Sequence, residues 1–307
     1  MSFDILQDQI RKLKNPTVAG LDARLEYVPP YIVNRYINQY GETFQAAAEA
    51  IFEFNRGLMD ALCDIVPAVK PQSAYYELLG WRGMEMLERT IAYAHKKGLY
   101  VIADIKRGDI GTTATAYSEA WLGKTKIGGS ELAAFDADCV TVNGYMGSDS
   151  IKPFLEHCVS EKKSMFVLVK TSNRSAMELQ DLVAGDRQVY HVMGDLAQRL
   201  GRETEGRHGF NAIGAVVGAT FPSDLRALRE RLEHTFFLVP GYGAQGGTAE
   251  DVQYAFNRYG HGAIINSSRG IMCAWQKTGQ DGMDYQEAAR NAAIAMRDDI
   301  KQYITIV

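Results

Sequence analysis

The chain has 307 residues, of which 46% are hydrophobic and 23% are charged, and its formal net charge is −4 at neutral pH. This balance excludes a disordered chain, because enough apolar surface is available to offset the entropy lost on folding. The mild negative charge argues against an extended nucleic-acid surface, although a small phosphorylated ligand could still bind in a local basic pocket.

Eight short apolar segments rich in valine and isoleucine recur along the chain, a pattern typical of β-strands buried on both faces. They are Thr17–Asp22, Ile65–Lys70, Tyr100–Lys106, Cys139–Asn143, Met165–Thr171, Ala212–Gly218, Phe236–Pro240 and Ala263–Ser267. Segments with helical spacing lie between or after them. These are Phe44–Leu62, Gly83–Lys97, Pro222–Leu232, Ala249–Arg258 and Tyr285–Ile300.

Repetition of strand and helix without a linker predicts a parallel sheet in an α/β protein. Eight such units in about 300 residues predict a closed (β/α)8 barrel, the TIM barrel, as one domain over residues 1–307. An open doubly wound sheet is the alternative topology. In a barrel, function lies at the C-terminal ends of the strands.

The predicted strand ends collect charged and hydrogen-bonding residues, which a purely structural barrel would not require. They are Asp22 on the first strand, Lys70 on the second, Asp104 and Lys106 on the third with Asp109 just beyond, Lys170–Asn173 on the fifth, and Ser267–Arg269 on the eighth.

The third strand carries the densest part of this cluster. Strand alternation places Asp104 and Lys106 on one side and Ile105 on the other. A structural ion pair is the simpler interpretation, but such pairs stabilise weakly, so a cluster that also includes Lys70 and Asp22 favours an active site. A lysine between carboxylates stays protonated and is a poor nucleophile. It suits proton donation to a developing carbanion, which predicts chemistry without a cofactor.

A glycine-rich segment follows the seventh strand. Gly241–Gly246 matches G-x-G-x-x-G, but a dinucleotide site requires an acidic residue at the end of the next strand, and Ala263–Ser267 has none. A phosphate site after strands seven and eight fits better. Gln245 and Arg269 would contact the phosphate there, beside the positive end of a helix starting near Gly247. The six histidines show no metal-ligand spacing, so no metal is expected.

The first residues lack the apolar segment of a signal peptide, and no apolar run reaches the roughly 18 residues of a membrane span. The four cysteines are dispersed, which indicates reduced thiols. We therefore expect a cytoplasmic protein without a membrane partner.

Five motifs together resemble the orotidine 5′-phosphate decarboxylase family, in its longer bacterial-type form. They are Gly20-Leu21-Asp22, Val69-Lys70-Pro71-Gln72, the D-x-K-R-x-D-I segment Asp104–Ile110, Pro240-Gly-Tyr-Gly-Ala-Gln245-Gly-Gly, and Ser267-Ser-Arg269-Gly. The D-x-K-x-x-D part also occurs in other phosphosugar decarboxylase barrels, whereas its combination with Lys70 and the GAQGG segment is more specific. The similarity spans Gly20 to Arg269.

The resemblance implies cofactor-free conversion of orotidine 5′-monophosphate to uridine 5′-monophosphate (UMP) and CO2, a step of pyrimidine biosynthesis. Lys106 would protonate the ring carbon that loses CO2, and Asp104 would lie against the departing carboxylate. Lys70 would order the charged array and reach the ribose, and Asp22 would bind a ribose hydroxyl.

The resemblance also implies contacts to the two ends of the substrate. Ser172 and Asn173 would contact the pyrimidine ring, although Arg174 here replaces a proline common in the family. Gln245 and Arg269 would hold the 5′-phosphate. The remaining substrate-binding residues would be Pro240 and Ser268.

In the family, the aspartate that matches Asp109 enters the neighbouring subunit's site, with Ile110 and Thr113 beside it. The resemblance therefore implies a homodimer. Two other functions stay open from the residues alone: a related barrel enzyme that acts on a sugar phosphate with Mg²⁺, and an inactive nucleotide-binding regulator.

Overall fold

The computed structural model describes residues 2–307, and its centre is a closed barrel of eight parallel strands. Following the hydrogen bonds around the barrel, the strand order is β1-β8-β7-β6-β5-β4-β3-β2. This arrangement confirms the (β/α)8 barrel and excludes the open sheet. The strands are β1 Thr17–Leu21, β2 Ala68–Pro71, β3 Tyr100–Arg107, β4 Cys139–Val142, β5 Ser164–Lys170, β6 Ile213–Val217, β7 Phe237–Val239 and β8 Ala263–Ser267.

Helices surround the barrel and connect its strands. They are α1 Ser2–Leu13, α2 Pro30–Tyr40, α3 Phe44–Leu62, α4 Ser73–Glu77, α5 Gly80–Lys96, α6 Gly111–Trp121, α7 Ser148–Ser160, α8 Val189–Gly201, α9 Pro222–Arg231, α10 Ala249–Val252, α11 Arg269–Met272 and α12 Tyr285–Ile300. None of the helices within residues 2–307 is long and apolar enough to cross a membrane.

All eight strands are confirmed, and so are four of the five predicted helices, two of them with the predicted bounds. The fifth prediction, Ala249–Arg258, is wrong in length, because α10 ends at Val252 and a 3-10 turn follows it. Helix α6 was missed because it opens on Gly-Thr-Thr-Ala-Thr, residues of modest helix propensity. Helix α7 contains Pro153, which argues against a helix when only the sequence is considered.

Helix α1 closes the N-terminal end of the barrel. The centroid of its Phe3 ring lies 4.9 Å from the ring centroids of both Phe166, in the first half of β5, and Phe236, just before β7. Two polar contacts fix the same helix: Ser2 Oγ is 2.6 Å from Tyr100 Oη, and Gln7 Oε1 accepts a hydrogen bond from a backbone N–H before β8. Helix α1 thus covers the N-terminal end of the barrel, and the C-terminal strand ends remain open for a site.

We predict that Phe3→Ala lowers the free energy of unfolding by about 3–5 kcal/mol, because it opens a cavity among three packed rings. Urea unfolding measures this change. Ile5→Ala on the exposed face of the same helix is the control and should change stability by less than about 0.5 kcal/mol. Equal losses in both variants would contradict the assigned role of α1.

Candidate active site

A cavity of about 650 Å³ opens at the C-terminal ends of the barrel strands. Most of the predicted site residues line it. These are Asp22, Lys70, Asp104, Lys106, Ser172, Asn173, Pro240, Gln245, Ser268 and Arg269. The expectation that functional residues lie at the C-terminal strand ends therefore identified the position of this cavity.

Asp104 is the buried centre of this cavity, and its carboxylate accepts four hydrogen bonds. Oδ2 accepts from Lys70 Nζ at 2.8 Å and from Gln72 Nε2 at 3.1 Å. Oδ1 accepts from Lys106 Nζ at 2.6 Å and from Thr141 Oγ1 at 2.8 Å. The donors come from β2 and its end, β3 and β4, so three adjacent strands converge on one carboxylate.

Asp104 and Lys70 each favour the ionised form of the other. Burial alone would raise the pKa of Asp104, but the charges and hydrogen bonds of Lys70 and Lys106 outweigh it and hold the pKa well below its usual range. Burial alone would lower the pKa of Lys70, yet the carboxylates of Asp104 and Asp22 raise it. Asp104 therefore presents a permanent negative charge, and Lys70 a permanent positive one.

Lys106 reaches the cavity by a route that strand alternation did not predict. The register between β3 and β4 shifts between Ala103 and Arg107, and Lys106 has φ of 48°, in the left-handed region. Its backbone N–H donates to Thr141 Oγ1 at 2.9 Å. The predicted proximity of Lys106 and Asp104 is confirmed, since the two side chains form a hydrogen bond. A bulge with a strained backbone at Lys106, not the regular alternation of a strand, brings them together.

Two polar atoms of the cavity accept no hydrogen bond from residues 2–307. The Oδ1 atoms of Asp22 and Asn266 are buried acceptors without a donor, and Lys70 Nζ lies 3.6 Å from Asp22 Oδ1. The Gln245 and Arg269 side chains are exposed at the rim. Buried acceptors of this kind are normally paired, so a ligand with hydroxyl groups would satisfy them.

The loop between β7 and α10 forms the opposite rim. Gly241 and Gly243 have φ of 106° and 71°, conformations that glycine adopts easily. The Gly247 N–H bonds to the Gly241 carbonyl, and Thr248 caps α10 by reciprocal bonds with Asp251. The helix expected near Gly247 begins at Ala249 and has only four residues, and the N–H groups of Thr248 and Asp251 bond within this cap. That this helix end faces an anion stays a prediction.

Ser172 and Asn173 stand on the loop that follows β5. Gly218 at the end of β6 makes room for Ser172, because a Cβ on Gly218 would lie 2.8 Å from the Ser172 Cα. The Asn173 Oδ1 accepts a hydrogen bond from Thr171 Oγ1 at 2.7 Å. Arg174 opens a short 3-10 helix, so the chain turns away from the cavity directly after Asn173.

Asp109, Ile110 and Thr113 do not line the cavity of their own chain. Asp109 Oδ1 accepts a hydrogen bond from the backbone N–H of Ile110, and the Ile110 side chain is exposed. The three residues therefore stand at the surface beside the site.

Several residues of the cavity were not predicted as site residues, and three of them are Gln72, Asn266 and Thr141. Gln72 belongs to a motif that was recognised, Asn266 lies one residue before the end of β8, and Thr141 is a polar residue in the otherwise apolar segment Cys139–Val142. A polar side chain inside a buried strand is the signal that could have identified Thr141.

Comparison with known proteins agrees with the motifs. The model of the orotidine 5′-phosphate decarboxylase / HUMPS family matches residues 52–279. The orotidine 5′-phosphate decarboxylase of Clostridium perfringens (strain SM101 / Type A) is 41% identical over 305 residues, 99% of each chain. The one of Caldicellulosiruptor saccharolyticus is 37% identical over 302 residues, 98% of each chain. The solved OMP decarboxylase of Leishmania donovani is 30% identical with a TM-score of 0.69, covering 97% of this chain and 98% of that one. The chain belongs to the orotidine 5′-phosphate decarboxylase family.

Proposed function

We propose how this cavity carries out the reaction of the family, the decarboxylation of orotidine 5′-monophosphate to UMP and CO2. The observation that carries the proposal is the carboxylate of Asp104 held between the ammonium groups of Lys70 and Lys106. The substrate carboxylate lies beside Asp104. Its bond to the ring breaks, CO2 leaves, and the electron pair stays on the ring carbon.

Lys106 then donates a proton from Nζ to that carbon, which completes UMP and leaves a neutral amine. The ammonium also stabilises the carbanion before the proton moves. Because the Lys106 side chain is partly exposed whereas that of Asp104 is buried, the amine can regain its proton from solvent after the product leaves. No other group within the array needs to change its protonation state.

The rest of the substrate lies along the cavity. Ribose hydroxyls donate to the Oδ1 atoms of Asp22 and Asn266, which accept no hydrogen bond from the described residues. Gln245 and Arg269 at the rim contact the 5′-phosphate, for which a guanidinium is a bidentate partner. Ser172 contacts the pyrimidine ring. Binding of these remote groups supplies the free energy that holds the ring against the charged array.

The active form is a homodimer in which Asp109 enters the partner's cavity, with Ile110 and Thr113 beside it. An apolar surface next to the cavity supports this assembly. Leu78, Trp81, Ile110 and Tyr145 are each more than half exposed, and they lie on the segments that follow the adjacent strands β2, β3 and β4. Large apolar side chains that stay exposed after adjacent strand ends favour a protein interface there.

We predict that Lys106→Ala lowers kcat by about 10⁴-fold, because the carbanion loses both its proton donor and its neighbouring positive charge. Loss of the orotidine 5′-monophosphate ultraviolet absorbance measures turnover, and EDTA in the assay tests for the metal-dependent alternative. Lys124→Ala, which removes an exposed lysine paired with Glu161, is the matched control and should retain full activity. Near-normal turnover by the Lys106 variant would refute its role.

We predict that inactive Lys106→Ala and Asp109→Ala enzymes recover about a quarter of the wild-type activity when equal amounts exchange subunits. Half of the dimers are then hybrids, and each hybrid holds one complete site if Asp109 acts across the interface. Native mass spectrometry confirms that hybrids form. Hybrid dimers without activity would contradict the shared site.

A further inference from the structure

A second buried charge array lies outside the cavity, at the end of β5. The Lys170 side chain is 0% exposed, forms an ion pair with Asp181, and lies 3.5 Å from Asp224 Oδ2. The rings of Tyr190 and Phe221 flank its ammonium, each centroid 4.8 Å from Nζ. None of these residues lines the cavity, so the decarboxylation chemistry does not use them.

The array joins three separate parts of the fold. Lys170 ends a barrel strand, Asp224 lies in the first turn of α9, and Asp181 lies in the long connection between β5 and α8. The pairing of β5 with β6 shifts register, with Leu168 opposite Val216 and Lys170 opposite Val217. The shift turns Lys170 away from the cavity that Leu168 lines.

The residue next to Asp181 connects this array to the site. Gln180 Oε1 accepts a hydrogen bond from the Thr171 N–H at 2.9 Å, and Gln180 Nε2 donates to Thr171 Oγ1 at 2.8 Å. Thr171 Oγ1 in turn donates to Asn173 Oδ1 at 2.7 Å. The ion pair and these hydrogen bonds close the segment from Lys170 to Asp181 into a loop. Ser172 lies on the part of this loop that faces the cavity.

An apolar side chain at position 170 would fill this space without the cost of burying a charge. The Lys170 ammonium group instead binds the carboxylate of Asp181 and so fixes the loop to the barrel at a defined point. This matters because the loop has few other buried side chains. We propose that Lys170, Gln180 and Asp181 are positioning residues that set the place of Ser172 and Asn173 over the pyrimidine ring and thereby determine affinity for the base. This inference rests on the proposed contact between Ser172 and the ring.

The test compares UMP with ribose 5-phosphate, which lacks the base, by isothermal titration calorimetry. In Asp181→Asn the attachment loses its charge, so the Kd of UMP should rise about tenfold, equivalent to one hydrogen bond of about 1.4 kcal/mol. The Kd of ribose 5-phosphate should change less than twofold. A general distortion of the barrel would weaken both ligands alike and would overturn the proposal.

Two further variants keep the test decisive. Gln180→Ala breaks the link to Thr171 without leaving a buried charge unpaired, so it should show the same base-specific loss even if Asp181→Asn fails to fold. Asp186→Asn removes an acidic group 93% exposed on the same connection and should bind both ligands normally.

Ser172→Ala separates this inference from the proposed function. If Ser172→Ala weakens UMP selectively and Gln180→Ala does not, the positioning role is wrong while the ring contact stands. If Ser172→Ala leaves UMP binding unchanged, the proposed ring contact is wrong and the positioning role falls with it.

Discussion

The site depends on one buried carboxylate that must remain charged. Asp104 accepts four hydrogen bonds, two of them from ammonium groups, and this pairing offsets the cost of burying its charge. The barrel meets the requirement by placing the donors on adjacent strands. Gln72 even forms an isolated bridge with Asp104 where β2 ends, which holds the two strand ends in register. A closed barrel supplies such convergence because its strand ends face one opening.

The same array explains why the backbone of β3 is irregular. Lys106 follows Asp104 by only two residues, yet its ammonium group must come within hydrogen-bond distance of the Asp104 carboxylate. The left-handed backbone of Lys106 and the local register shift bring the ammonium back toward Asp104. Strain at this residue is stabilised by the bond between its N–H and Thr141, so β4 supports the geometry of β3. Positioning thus comes from neighbouring strands as much as from the strand that carries the lysine.

The barrel could be predicted from the sequence because buried parallel strands are nearly continuous apolar segments, and all eight were present. The residues at their ends indicated the cavity for the same reason. The role of helix α1 could not be predicted, because it depends on the packing of Phe3 against Phe166 and Phe236, which are far away in the sequence. Gln72 was missed because its importance lies in a contact with Asp104 on another strand, which no local pattern shows. Thr141 carried a local signal, a polar side chain in an apolar strand, but that signal does not reveal Asp104 as its partner. The bulge at Lys106 is likewise a property of strand pairing.

The most direct test of this account is the ionisation of Asp104 in the folded enzyme. Carbon-13 NMR of labelled aspartate carboxyls, with Asp104→Asn to assign the signal, follows it from pH 6.5 down to pH 4. The depressed pKa predicts an Asp104 signal that stays in its ionised position throughout, while ordinary aspartates with a pKa of about 3.9 begin to protonate. The favourable contribution of this carboxylate to stability is accordingly mostly retained at pH 4 and is lost progressively as the pH falls from the unfolded-state pKa of about 3.9 through the lower folded-state pKa. A midpoint at pH 4 or above would contradict the charged array on which the proposed chemistry depends.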